Sequence, residues 1–361
     1  MKKVLSVLFT LLLIGGIAAI WFLFPDFSRK QVNKLFGVYD VYKGDNAYRR
    51  MKLQRAIDYY NNALRLYPEH YEAWYNLGNI YVVYEDYYSA ADAYEKSIEH
   101  NPKFIMARMN YGIVASEKLG DFDAAINQYQ AIIELKPKLI SIPFIFNNRK
   151  STKINKGIAY YNMGVAYKQK SIYADDNEEL RYRSLQNALK SYQEAVKVLK
   201  KDYDARYNLA LTYHLLGDYH DAGLNYCKAI SLAPMNYEAH YNLAILLRHL
   251  KYYKESLDEM QKATSLITIS DGISNRQRYV FDVMNELTRL IYSDTDKTFL
   301  EKIDDEPAAS GEITYINGRL VASEALDKAI LKNFKTCGSR AIFLEEIGED
   351  YTERGSRVNV P

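Results

Sequence analysis

The chain has 361 residues, with 47 basic and 45 acidic side chains and a formal net charge of +2. This balance gives no general attraction to nucleic acid, and a hydrophobic content of 48% is too high for a disordered chain. The two cysteines, Cys227 and Cys337, have no CxxC spacing and no histidine partner at ligand spacing. Neither a disulfide framework nor a structural zinc site is therefore expected.

The first predicted element is an apolar helix at residues 4–24. These 21 residues carry no charge, and at 1.5 Å per residue they span roughly 30 Å, about one bilayer core. Trp21 stands near the far end, where aromatic side chains favour the headgroup region. Residues 1–30 are therefore predicted to form a transmembrane anchor. The alternative is a cleaved signal peptide with its small-residue cleavage site at residues 16–18.

The charges that flank this segment bear on its orientation. Lys2 and Lys3 favour a cytoplasmic N-terminal end, whereas Arg29, Lys30 and Lys34 on the other side oppose it. We expect a single-pass membrane protein whose bulk lies outside the cytoplasm, on the periplasmic side.

A repeat follows the apolar segment. Small residues recur with spacings of 34, 35, 63, 34 and 34 at Ala56, Ala90, Ala125, Ala188, Ala222 and Ser256. Four residues later stands a large side chain: Tyr60, Tyr94, Tyr129, Tyr192, Tyr226 and Met260. An earlier small residue in each repeat is Gly44, Gly78, Gly112, Gly164, Ala210 or Ala244. Two antiparallel helices approach closely where such residues remove bulk, and the large side chain fills the space between them.

The second repeat carries the clearest signature. It reads Trp74, Leu77, Gly78, Tyr81, Ala90, Tyr94, Ser97 and Pro102, at the spacing W-x2-L-G-x2-Y…A-x3-F…A…P. In these residues the chain resembles the tetratricopeptide-repeat (TPR) family. The resemblance implies an all-α TPR superhelix, an α-solenoid of antiparallel helix pairs with a concave groove. The predicted repeats are 37–70, 71–104, 105–139, 157–202, 203–236 and 237–270.

The long spacing divides the predicted array into two blocks of three repeats, 37–139 and 157–270. We assign the extra residues to an insertion near 171–182 and to a basic linker at 140–156. No acidic residue occurs between residues 135 and 174. Two interpretations of this stretch stay open. In the first interpretation, residues 136–156 contact an anionic lipid surface. In the second, the linker packs Phe144 and Phe146 against the helices.

Two rows of residues are predicted to line the groove. The first consists of asparagines two positions before the small residue of the first helix: Asn76, Asn110, Asn162, Asn208 and Asn242. The second precedes them directly: Tyr75, Tyr161, Tyr207 and Tyr241, with Met109 in the third repeat. The asparagine row resembles the groove of the TPR arm of the O-linked N-acetylglucosamine transferases, whose catalytic part has no counterpart here. Amides can bond both backbone groups of an extended peptide, and tyrosines offer rigid contact area. Alternatively, both rows serve packing within the array.

Two further elements are predicted after the array. Residues 271–294 form a capping helix, since Val280, Val283, Met284 and Leu287 fall on one face. The tail at 295–361 has no assigned role, but it contains an Asn-Gly hairpin signal at residues 317–318 between short apolar arms.

These patterns predict a membrane-anchored TPR scaffold or adaptor that binds an extended peptide or a partner protein and assembles a multiprotein complex. The alternatives are a regulatory or substrate-recruiting subunit of a separately encoded enzyme, and an enzyme with its active site in the C-terminal tail. No P-loop or metalloprotease motif occurs, and the spacing of His214, His240 and His249 does not demand a metal site. We expect no enzymatic activity, no cofactor, no metal and no nucleic-acid partner.

Overall fold

The computed structural model describes residues 23, 25–136, 148–174, 176–270, 314–316, 319–321, 337–340 and 342–343. The chain divides into two compact units, Met1–Asn155 and Lys156–Pro361. Most described residues are helical, in agreement with the predicted all-α class.

Unit one contains three helix pairs. The helices are α1 (Pro25–Arg49), α2 (Leu53–Leu66), α3 (Tyr71–Val83), α4 (Tyr87–His100), α5 (Ile105–Glu117) and α6 (Phe122–Glu134). Within the first pair, Gly37 faces Tyr67 and Gly44 faces Tyr60, so the two helices run antiparallel. Helix α3 packs on α2 and helix α5 packs on α4, so each pair covers the apolar face of the next.

Unit two contains the other three pairs. The helices are α7 (Asn148–Ile172), which begins in the last residues of unit one, α8 (Glu178–Val198), α9 (Tyr203–Leu215), α10 (Tyr219–Leu232), α11 (Tyr237–His249) and α12 (Tyr253–Ser270). Helices α7 and α8 have 25 and 21 residues, whereas α9, α10 and α11 have 13 or 14. The insertion predicted near 171–182 therefore accompanies longer helices. Residues 148–156 of the predicted linker are helical, and 137–147 lie outside the described residues.

A close contact between a glycine and a tyrosine joins the two helices in four of the pairs. A Cβ atom on Gly44, Gly78, Gly112 or Gly164 would lie only 2.5 to 2.7 Å from the facing tyrosine ring. The facing tyrosines Tyr60, Tyr94, Tyr129 and Tyr192 are all fully buried. The packing predicted from the repeat spacing is therefore confirmed, because a larger residue at the glycine would overlap the ring.

Capping residues and left-handed turn residues define where the helices of each pair begin and end. Aspartate side chains cap α4, α6, α9 and α10 by accepting a backbone N–H in the first turn: Asp86, Asp121, Asp202 and Asp218. The turn between the helices of five pairs contains a residue with positive φ: Met51, Glu85, Gly120, Gly217 and Lys251. This left-handed residue ends the first helix and reverses the chain.

A short hairpin lies in the C-terminal tail. Strand β1 (Thr314–Ile316) pairs antiparallel with β2 (Arg319–Val321), with Tyr315 opposite Leu320. The predicted hairpin is therefore present, although residues 317–318 lie outside the described residues.

Two other predicted elements lie outside the described residues. They are the capping helix at 271–294 and the apolar segment at 4–24, except Leu23. Among the helices that the structure describes, none combines the length and the apolar character needed to cross a bilayer.

The prediction that the two cysteines take part in no disulfide is wrong. Cys227 and Cys337 form a disulfide with their Cα atoms 5.2 Å apart, although 110 residues separate them in the sequence. The disulfide forms because a C-terminal segment packs against a helix that is distant in the sequence. The segment around residue 337 packs on α10, where Phe343 is buried against Gly223.

Candidate functional site

The two predicted rows are linked by hydrogen bonds. Asn110 Nδ2 lies 3.4 Å from Tyr75 Oη, one repeat earlier in unit one. In unit two, Asn208 Nδ2 lies 3.4 Å from Tyr161 Oη, and Asn242 Nδ2 donates to Tyr207 Oη at 2.8 Å. The amide of one repeat thus meets the tyrosine hydroxyl of the preceding repeat. We call the two predicted rows together the asparagine–tyrosine ladder, which comprises Asn76, Asn110 and Tyr75 in unit one and Asn162, Asn208, Asn242, Tyr161, Tyr207 and Tyr241 in unit two.

Two further polar residues complete the ladder in unit one. Asp45 Oδ1 accepts from Tyr60 Oη at 2.7 Å and from Asn76 Nδ2 at 2.9 Å. Asn79 occupies the same position in the next repeat and accepts from Tyr94 Oη at 2.8 Å and from Asn110 Nδ2 at 2.9 Å. Burial and the neighbouring Asp45 carboxylate raise the pKa of Tyr60, which therefore stays a neutral donor.

Neither Asp45 nor Asn79 was predicted from the sequence. Each directly follows the small residue in the first helix of its repeat. A polar residue at that position is the feature of the sequence that could have identified them. The corresponding residues of the other four repeats are apolar: Ile113, Val165, Leu211 and Ile245. The additional acceptors are thus restricted to the first two repeats.

Unit two contains a lysine that the sequence analysis also missed. Lys168 Nζ donates to Asn208 Oδ1 at 2.6 Å, while Asn208 Nδ2 donates to the Asp204 carbonyl oxygen at 2.9 Å. Burial lowers the pKa of Lys168. Asn208 therefore has both its oxygen and its amide group engaged within unit two.

Three tyrosines of the ladder also pack on other tyrosine rings of the repeats. Ring centroids lie 5.9 Å apart for Tyr75 and Tyr94, and 5.9 Å apart for Tyr161 and Tyr192. Tyr207 stacks on Tyr203 at 5.7 Å with an interplanar angle of 9°. Each ring therefore supports the helix pair, and the hydroxyl at its tip meets the asparagine of the next repeat.

The hydrogen bonds determine which groups of the ladder stay open. Asn110 uses Nδ2 toward Tyr75 and Asn79, and Asn242 uses Nδ2 toward Tyr207 and the Glu238 carbonyl oxygen at 2.9 Å. Among the described residues, no donor reaches Oδ1 of Asn110 or Asn242. Both side chains are half-buried. These two amides can therefore accept from a bound backbone N–H, but their own donors are already engaged.

One of the histidines noted in the sequence, His240, is engaged in a buried contact between helices. His240 is buried, with Nδ1 paired to Glu259 Oε2 at 2.6 Å and Nε2 lying 3.2 Å from the Pro234 carbonyl oxygen. No group of three or more metal-ligating side chains occurs within the part of the chain that the structure describes.

Comparisons with known proteins support the repeat assignment. Sequence profiles described as tetratricopeptide repeat match residues 71–104, 107–139 and 203–236. These ranges correspond to the α3/α4, α5/α6 and α9/α10 pairs. The chain therefore contains tetratricopeptide repeats.

The chain is similar over part of its length to a curated relative and to solved structures. A UDP-N-acetylglucosamine–peptide N-acetylglucosaminyltransferase of Giardia intestinalis is 38% identical over 82 residues, which are 23% of this chain and 6% of that protein. A thermophilic TPR protein of Thermus thermophilus is 18% identical, with 62% of this chain and 99% of that chain covered and a TM-score of 0.39. YrrB, described as a TPR protein with an unusual peptide-binding site, is 23% identical, with coverages of 59% and 90% and a TM-score of 0.41.

Proposed function

We propose that this chain is a membrane-anchored TPR scaffold that binds an extended segment of a partner protein and thereby assembles a multiprotein complex. The asparagine–tyrosine ladder is the observation that supports this proposal most directly. Its asparagines lie on first helices of the repeats, half-buried or buried, and the amide groups of Asn110, Asn208 and Asn242 are oriented by bonds to the preceding repeat.

The ladder suits backbone recognition. In each unit one ladder asparagine, Asn110 in unit one and Asn242 in unit two, presents an oriented carbonyl oxygen that can accept an N–H group of an extended peptide without reading its side chains. Because the tyrosine hydroxyls already hold these amides in place, little side-chain entropy is lost on binding. The partly buried tyrosine rings add rigid, amphipathic contact area beside the amides. The ladder is therefore suited to a peptide in an extended conformation.

Alanine substitutions test the role of these amides. We expect Asn110→Ala and Asn242→Ala each to weaken partner binding by about tenfold, because each removes an oriented acceptor. The partner is first identified by crosslinking in membranes, and the affinity of the full chain in nanodiscs for that partner is then measured. Asn61→Ala, an exposed asparagine on α2, serves as the matched control and should leave the affinity unchanged. Unchanged affinity in both ladder variants would contradict the proposal.

We further propose that residues 4–24 anchor the chain, with the repeats on the periplasmic side. The uncharged length of the segment and the lysines that precede it support this proposal. Deletion of residues 1–30 should move the chain from the carbonate-washed membrane fraction to the soluble fraction. Carbonate removes peripheral proteins, so a contact of residues 136–156 with lipid would not hide the effect. Retention of the deletion variant in the washed membranes, or a mature chain that lacks the segment, would refute the anchor.

A further inference from the structure

A cavity of about 270 Å³ lies in unit two beside the disulfide. Four cationic side chains line it: Lys200, Arg206, Lys228 and Arg340. Pockets for drug-sized ligands measure roughly 300–1,000 Å³. This cavity is therefore suited to a small group rather than to a large organic ligand.

The cavity concentrates positive charge. Within the part of the chain that the structure describes, no carboxylate lies within ion-pair distance of any of these four cations. Burial lowers the pKa of Lys228, the positive charges of Arg206 and Arg340 lower it further, and Asp221 opposes them. Arg206 Nη1 donates to Asn225 Oδ1 at 3.0 Å, which orients its guanidinium group. A bound anion would relieve the repulsion among these cations.

The C-terminal segment contributes Arg340 to the cavity and is held in place at both of its ends. Cys337 is bonded to Cys227 of α10, and the Arg340 N–H donates to the Cys337 carbonyl oxygen at 3.2 Å. At the other end, the fully buried Phe343 packs on Gly223, and its carbonyl oxygen accepts from the His220 ring. A side chain at residue 223 would overlap the Phe343 ring. The disulfide and the aromatic contact thus position the one cavity cation that comes from outside the repeats.

We propose that this cavity binds a phosphoryl group, and that the Cys227–Cys337 disulfide assembles the site by holding Arg340 over it. Guanidinium groups match phosphate oxygens in bidentate geometry, and lysine ammonium groups add point charges. A phosphate dianion offers more acceptor oxygens and more charge to four cations than a single carboxylate does. Both a free phosphate compound and a lipid headgroup carry this chemistry.

Calorimetric titration of the full chain in neutral detergent micelles tests the site with inorganic phosphate as the probe and acetate as the control. We expect one saturable phosphate site, and we expect Arg340→Gln and Lys228→Gln each to weaken it by about tenfold or more. Lys201→Gln is the matched control, since Lys201 is exposed, like the neighbouring Lys200, but does not line the cavity. No saturable binding, equal binding of acetate, or unchanged affinity in Arg340→Gln would overturn the proposal.

The Cys337→Ser variant tests the role of the disulfide. Once circular dichroism shows that its helices are intact, it should bind phosphate more weakly than the wild-type chain, because the end of the segment nearest Arg340 is no longer bonded to α10. Full affinity in the folded variant would refute assembly by the disulfide. Titration with short-chain phosphatidic acid then distinguishes a lipid headgroup from a free phosphate compound as the natural ligand. Tighter binding of this lipid than of inorganic phosphate indicates a headgroup, and weaker binding indicates a free phosphate compound.

Discussion

Replacing Glu259 by leucine is expected to lower the free energy of unfolding of the repeats in unit two by roughly 3–5 kcal/mol, because it leaves a buried partner without its counter-charge. Glu259 is completely buried, and its carboxylate pairs with His240 Nδ1 at 2.6 Å and with Lys262 Nζ at 2.9 Å. The pair joins α11 to α12, so its loss removes a polar contact between these two helices. Chemical denaturation of the purified chain, followed by circular dichroism, measures the change.

Asp258 provides the matched control for Glu259. It lies one residue earlier on α12 and contacts the same lysine, Lys262 Nζ, at 2.5 Å, but its side chain is 59% exposed. Exposed ion pairs contribute only about 0–1 kcal/mol, so Asp258→Asn should change the stability little. If Glu259→Leu were no more damaging than Asp258→Asn, the buried pair would not stabilise the fold.

The stability that the Glu259–His240 pair contributes depends on pH, and its direction follows from the pKa of Glu259. Burial raises the pKa of Glu259, but the hydrogen bond and charge of His240, together with Lys262, outweigh it and lower the pKa below its ordinary value of 4.5. A lowered folded-state pKa adds stability above the unfolded value, and this stability is lost as the pH falls through the folded value. The wild-type chain should therefore lose stability on acidification below pH 4.5, and the Glu259→Leu variant should lose less.

Tyr192→Ala is expected to lower the free energy of unfolding by roughly 3–5 kcal/mol, the range for removing a buried aromatic side chain. Tyr192 is completely buried and fills the space beside Gly164 between α7 and α8. Its hydroxyl has no hydrogen-bond partner among the described residues. Tyr192→Phe should therefore keep the full stability or increase it slightly, since it removes an unsatisfied buried hydroxyl. A phenylalanine variant as unstable as the alanine variant would show that the ring does not act through packing.

The helix pairs could be predicted from the sequence because their main contact is local. Gly78 and Tyr94 lie on the two helices of one repeat, which a short turn connects. Their spacing in the sequence alone therefore indicates that they are in contact. The hairpin at residues 314–321 is equally local and was predicted from its turn residues. Both features join residues of a single repeat or of a single hairpin.

The parts that could not be predicted depend on contacts between distant residues. Asp45 bonds Asn76, 31 positions away, and this contact exists only when successive repeats are stacked. Lys168 bonds Asn208 across 40 positions for the same reason. The disulfide spans 110 positions and requires the C-terminal segment to return to α10, which no repeat pattern encodes. The open acceptors of the ladder likewise follow from the bonds between repeats and not from the residue types alone.

Site-specific photocrosslinking in intact membranes tests most directly whether the ladder is the surface that binds the partner. A benzophenone amino acid is placed at Tyr207, within the ladder of unit two, or at Tyr182, a 59% exposed tyrosine on α8 outside the ladder. If the ladder binds the partner, the probe at residue 207 crosslinks it and the probe at residue 182 does not. Crosslinks to the partner from residue 182, together with none from residue 207, would contradict the account.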